Sequence, residues 1–123
     1  MDGVRRFPKR CMVEVEDLFQ KCDPIVKDLY TALLQKVWAF GPVRVEVKKS
    51  SLHVVNHAAF LGIHPKKGYL DINIVSETEI DDTRVVSVEQ VSARRFHNRF
   101  RLTRITDINA ALVSLLRRAY DFL

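Results

Sequence analysis

Three segments of this chain alternate with a period of two. Val43, Val45 and Val47 alternate with Arg44, Glu46 and Lys48, and Leu70, Ile72 and Ile74 with Asp71, Asn73 and Val75. In the third, Phe96, Phe100 and Leu102 share one phase and Arg95, His97, Arg99 and Arg101 the other, with Asn98 as a polar member of the apolar phase. Successive side chains of a strand point to opposite faces, so this alternation calls for a sheet with one covered and one wet side. A helix would spread the same charges around its circumference. The arginine alternation is therefore evidence for a strand first and for function second.

The segments around these strands read as helices and turns. A short helix is expected around Val15–Lys21. Asp23-Pro24 then restarts the chain, with Asp23 as N-cap and Pro24 at the first helical position. Ile25, Leu29, Leu33, Val37 and Phe40 form one helical stripe, stopped by Gly41-Pro42. Leu52–Asn56 pairs back on the first strand through the polar turn Lys49-Ser50-Ser51. Ala58–Ile63 is a third strand or a continuation after a bend. His64–Gly68 is a turn, Glu77–Asp82 a charged loop and Arg84–Val88 a short strand. A closing helix, capped by Thr106 or Asp107, carries Ile108, Leu112, Leu115, Ala119 and Phe122. The expected class is α+β: N-terminal helices, an antiparallel sheet of about five strands, and a C-terminal helix on one sheet face.

At 123 residues the chain is one domain of ordinary size, without repeat or linker, and residues 1–12 read as a flexible arm. Its composition, 47% hydrophobic and 28% charged, suffices for a core without staples. Apolar runs are far too short to span a bilayer. No apolar stretch follows the basic residues of the start, so the segment does not read as a secretory signal. Cys11 and Cys22 lack metal-ligand spacing and read as free thiols of a cytoplasmic protein. The net charge of +5 is concentrated: five arginines and no acid lie between Ala93 and Arg104. Such a patch favours anionic partners, and its bland explanation is the solvated face of a half-buried sheet.

The segments VRVEVKKSSLHVV, FLGIHPKKGYLDINI, RRFHNRFRLT and LLRRAYDFL resemble a bacterial and archaeal family, domain of unknown function 5655, from about Val15 to the C-terminus. Its members are often labelled "predicted transport protein". The resemblance implies the same α+β architecture and no established catalytic residues. Similar domains are attached to other modules, some nuclease-like, which associates the family with nucleic acid. In this chain LHVVNHAAF stands where relatives tend to place basic and aromatic residues, so the basic face is expected to be smaller.

Among chemical constellations the basic strand is the strongest. Arg95, His97, Arg99 and Arg101 would project roughly 6–7 Å apart, the scale of successive phosphates on a single strand. Lys48, Lys49, Lys66 and Lys67 lie at turns that would flank that face. With Phe96 and Phe100 on the core phase there is no stacking platform, so binding would be dominated by phosphate and weakly sequence-specific. His53 and His57, about 13 Å apart on a strand at roughly 3.3 Å per residue, do not share a metal. A site made by His64, His97 and Asp71 would need the strands to converge. His97 with Asp71 is the best acid–base pair, but Asp71 reads more naturally as the cross-strand partner of an arginine. No phosphate-cradling glycine loop or nucleophile elbow is present. The expectation is thus a non-catalytic module for an anionic partner, nucleic acid first, with no cofactor, no metal and no membrane association. A homodimer with a small-molecule or protein-binding cleft between subunits is the alternative, and an enzyme of unknown class the third. Val55 and Val75, on the charged phase, would make the open face mildly apolar and suited to a dimer.

Overall fold

The computed structural model describes residues 14–122. The expected arm over residues 1–12 lies outside the described residues, as does Cys11 and with it any pairing with Cys22.

Helix α1 (Val15–Phe19) opens with the Asp17 carboxylate accepting the Glu14 backbone N–H at 2.9 Å. Helix α2 (Pro24–Trp38) begins at the proline, as expected from its fixed φ and missing N–H. The Asp23 N–H donates to the Lys67 carbonyl at 2.7 Å and ties the helix start to a turn of the sheet. Leu29, Leu33 and Val37 of the expected stripe are buried, joined by Val26, Tyr30 and Leu34, while Ile25 and Phe40 pack at its margin. Gly41 follows with φ 148°, a conformation that favours glycine, and a Cβ there would stand 2.5 Å from the Tyr120 hydroxyl.

Among the described residues six strands follow, not five: β1 (Arg44–Val47), β2 (Leu52–Val55), β3 (Ala59–Pro65), β4 (Leu70–Ser76), β5 (Val85–Ser92) and β6 (Arg95–Leu102). They form one antiparallel sheet in the order β1-β2-β3-β4-β6-β5. Two local features obscured the sixth strand in the sequence. A register shift at Val54/Val55 breaks the alternation between β2 and β3. β5 is longer than the expected Arg84–Val88 and is exposed along most of its length, so burial imposes no pattern on it. His64, expected in a turn, belongs to β3.

Rows of cross-strand partners define the two faces. Val45–Val54–Leu61–Ile74–Asn98–Val88 and Val47–Leu52–Ile63–Ile72–Phe100–Val85 cross the whole sheet on the side that carries the helices. Between β2 and β6 their side chains are fully or almost fully buried and form the centre of the core. Asn98 is accommodated because its polar atoms are used. Its Nδ2 donates to the Ile74 carbonyl (3.0 Å) and to Ser76 Oγ (2.7 Å), and its Oδ1 accepts the Ile80 N–H at 3.1 Å. This residue pins the β4–β5 loop to the sheet.

Helix α3 (Ala110–Phe122) packs on β3 and β4 beside α2. Its cap is Asn109, whose Oδ1 accepts the Leu112 N–H at 3.0 Å, rather than Thr106 or Asp107. The Asp107 carboxylate instead takes the N–H groups of Thr103 (2.8 Å) and Arg104 (3.0 Å) around a 3-10 turn, Ile105–Asp107. With the helix starting later, its buried stripe is Leu112, Leu116 and Ala119; Leu115 is half-buried and Phe122 exposed. Among the described residues no helix is long and apolar enough to cross a membrane.

Candidate functional site

The face of the sheet away from the helices carries its own rows. One crosses all six strands: Glu46–His53–Gly62–Asn73–Arg99–Ser87. The next row is His64–Asp71–Arg101, and on the other side lies Val75–His97–Glu89. No apolar side chain longer than that of glycine interrupts the first row. Gly62 leaves a shallow dip: a Cβ there would sit 3.5 Å from His64 Nε2 and 3.6 Å from Asn73 Cβ.

Asp71 organises this face. Its side chain is only 2% exposed, although it points away from the apolar core. Arg101 grips it with two bonds, Nε to Oδ1 at 3.0 Å and a terminal nitrogen to Oδ2 at 3.2 Å, and its guanidinium lies 4.1 Å from the centre of the Tyr69 ring. Bonding to Asp71 and the loss of its own hydration act in opposite senses on Arg101, and bonding wins, raising its pKa. Arg99 stands 3.9 Å from the same carboxylate and donates through Nε to Asn73 Oδ1 at 3.4 Å. Two guanidinium groups thus share one buried carboxylate and leave a surplus positive charge. The expected arginine partner of Asp71 is Arg101.

The histidines occupy separate places. His97 lies opposite Val75, at the other end of the strands from Asp71, so the acid–base pair His97–Asp71 is not formed. His64 is opposite Asp71. Its pKa is lowered, first by burial and then by the nearby positive charge of Arg99 and Lys66, with His53 adding to this and Asp71 opposing. A neutral imidazole in this position can donate or accept a hydrogen bond. Among the described residues no group of three or more His, Cys, Asp or Glu side chains is arranged to hold a metal ion.

The other sequence candidates divide between the two ends of the sheet. Lys48 and Lys49 lie in the β1–β2 turn and Lys66 and Lys67 in the β3–β4 turn, at the end that also carries Arg101. Lys48 is paired with Glu46 at 3.4 Å, and Lys67 with Asp23 of the α2 start at 3.5 Å. Lys67 is therefore drawn towards the helical side. Arg95 and His97 lie at the opposite end, and Arg99 in the middle. Val55 and Val75 are buried, so they add no exposed apolar surface to the open face.

Sequence reasoning did not place His53, Gly62 and Asn73 in one row with Arg99, nor His64 in the row beside it. That arrangement depends on register across β2, β3, β4 and β6, and the isolated glycine of β3 was the one available signal. A cleft of about 660 Å³ lies elsewhere, between the β4–β5 loop and the end of α3. Its lining includes Glu77, Glu79, Asp81 and Asp121 against the single arginine Arg118, a poor setting for an anion.

Comparison with curated proteins finds no match, and comparison with solved structures finds none. A family model does match residues 15–123, nearly all of the described chain, and the protein belongs to that family, "Domain of unknown function (DUF5655)".

Proposed function

We propose that this domain is a non-catalytic binding module that takes an anionic partner, nucleic acid first, on the open face of its sheet. The observation that carries the reading is the Arg99–Arg101 pair held by one buried carboxylate. Orienting a guanidinium before binding reduces the entropy lost when it meets a phosphate. His53, Asn73 and neutral His64 supply further hydrogen-bonding groups around Gly62, and Arg95 extends the positive strip along β6. Among the described residues the aromatic ring beside this arginine pair is Tyr69, and Arg101 already covers it. Recognition therefore relies on phosphate and reads sequence weakly.

The test is fluorescence anisotropy with labelled single-stranded DNA, duplex DNA and RNA at low and moderate salt. A footprint of about three phosphates on a single strand gives a slope of log affinity against log salt near −2. Arg95→Glu and Arg99→Gln should each weaken binding by about tenfold or more, the size of one charge-assisted contact. Arg101 is unsuitable as the first variant because its loss strands the Asp71 carboxylate. Absence of binding at low salt with all three nucleic acids overturns the proposal.

A further inference from the structure

In the open-face row from Glu46 to Ser87, Gly62 alone has no side chain. A glycine inside a strand often marks a place where a ligand comes close to the backbone. Two nitrogen atoms converge on the space it leaves. A Cβ at Gly62 would stand 3.5 Å from His64 Nε2 and 3.9 Å from Asn73 Nδ2. His53 stands opposite Gly62 on β2, so both neighbouring strands border the dip.

Arg99 completes the arrangement from the far side of β4. Its Nε donates to Asn73 Oδ1, which leaves the Asn73 Nδ2 on the side of the dip. Arg99 stands 3.9 Å from Asp71 where Arg101 stands at 3.0 Å, so Arg101 carries most of the Asp71 interaction and Arg99 keeps donors for a ligand. The charges around the dip favour an anion. Burial is the first cause of the lowered His64 pKa, and Arg99, Lys66 and His53 follow, with Asp71 opposing as the smallest influence.

These donors surround one point instead of following a line. An internal phosphodiester offers two free oxygens, whereas a phosphate monoester offers three and nearly a second negative charge. The surroundings also suit the end of a strand. Past His53 the row ends at Glu46, whose carboxylate already holds Arg44 at 3.1 Å and Lys48 at 3.4 Å. In the other direction Arg95 lies four residues from Arg99 along β6, about 13 Å at roughly 3.3 Å per residue, or two phosphate steps.

We propose that the dip at Gly62 seats a terminal phosphate monoester, with Arg99, Asn73 and His64 as its donors, and that the bound strand runs from this phosphorylated end towards Arg95. The inference rests on the phosphate-binding function proposed above and names the phosphate that the site takes.

Fluorescence anisotropy at low salt tests this with three internally labelled single-stranded DNAs of one sequence, carrying a 5′-phosphate, a 3′-phosphate or neither. One of the phosphorylated strands should bind about tenfold or more tightly than the unphosphorylated strand, the size of a charge-assisted contact. Gly62→Ala adds only ordinary contacts, at 3.5 and 3.6 Å, so its thermal melt should match that of the parent protein. Its methyl group occupies the seat, and all three strands should then bind alike. A nucleoside 5′-monophosphate carries the same group without a strand. It should compete only at about a hundredfold higher concentration, because two further phosphate contacts are lost. Competition at equal concentration would overturn the strand end in favour of a free monophosphate. Equal binding of the three strands to the parent protein overturns the seat and leaves the phosphate-binding function standing. So does a preference that survives Gly62→Ala. Absence of binding by all three overturns the function itself.

Discussion

Replacing Asn98 tests whether a single buried amide holds the β4–β5 loop to the sheet. The side chain has no exposed surface and makes three hydrogen bonds, to Ile74, Ser76 and Ile80. Asn98→Leu keeps the volume but removes every polar atom. Ser76 retains the Thr78 carbonyl as a partner, so the main losses are at the Ile80 N–H and the Ile74 carbonyl. An unsatisfied buried group costs about 1–3 kcal/mol. Against this, leucine contributes favourable apolar burial, and the net expectation is about 2–4 kcal/mol of lost stability. With a urea m-value of roughly 1.5 kcal/mol/M, the midpoint should fall by about 2 M. The Ile80 amide should also exchange with solvent faster, because its acceptor is gone. Asn98→Asp adds a sign test. A carboxyl in this fully buried place, set against the Ile74 carbonyl, has a folded pKa above its unfolded value of about 3.9. Its contribution is fully present below that value and is lost as pH rises through the folded pKa, by about 2.7 kcal/mol for a two-unit rise. Urea titrations at pH 4 and pH 7.5, with hydrogen exchange at Ile80, measure both effects. A loss below about 1 kcal/mol for the leucine variant, with unchanged Ile80 exchange, would refute the pinning argument.

Gly41→Ala should destabilise by at least about 1 kcal/mol, because the φ of 148° disfavours a side chain and the new Cβ would meet the Tyr120 hydroxyl; a thermal melt reads this against a surface Gly68→Ala control. Arg101→Ala should lower the urea midpoint more than Asp71→Ala. Removing the arginine strands a buried carboxylate, whereas removing the carboxylate leaves guanidinium groups that reach water; equal midpoints would contradict this. His64 should titrate by NMR below the ordinary histidine range. Its lowered folded pKa means that the associated stability is present above about pH 6.5 and is lost as pH falls through that range. Arg99→Ala should move that titration upward only part of the way, since burial is the larger cause.

The period-two segments were readable because one face of each is buried and the other wet. Register across such strands is strongly specified, so Phe100 and Leu102 could be assigned to the core from sequence. The arginine partner of Asp71 was legible for the same reason: both lie on the wet phase of neighbouring strands. β5 resisted reading because beyond Val85 neither of its faces is buried, and without a buried side its other valines follow no period. The start of α3 was misplaced because Asp107 is a good cap by type, but its carboxylate is taken by the turn that precedes the helix.

By itself, the order of periodicities in the chain determined an α+β domain with one polar sheet face and arginines on its last strand. Local side-chain alternation is enough for that, because each strand must bury one phase. Only the tertiary structure decided that β6 inserts between β4 and β5. That order sets Arg99 and Arg101 beside Asp71, and with the register it separates His97 from Asp71 and puts β5 at the end of the sheet. These are contacts between residues far apart in sequence, fixed by the packing of six strands beneath two helices, and no local pattern encodes them.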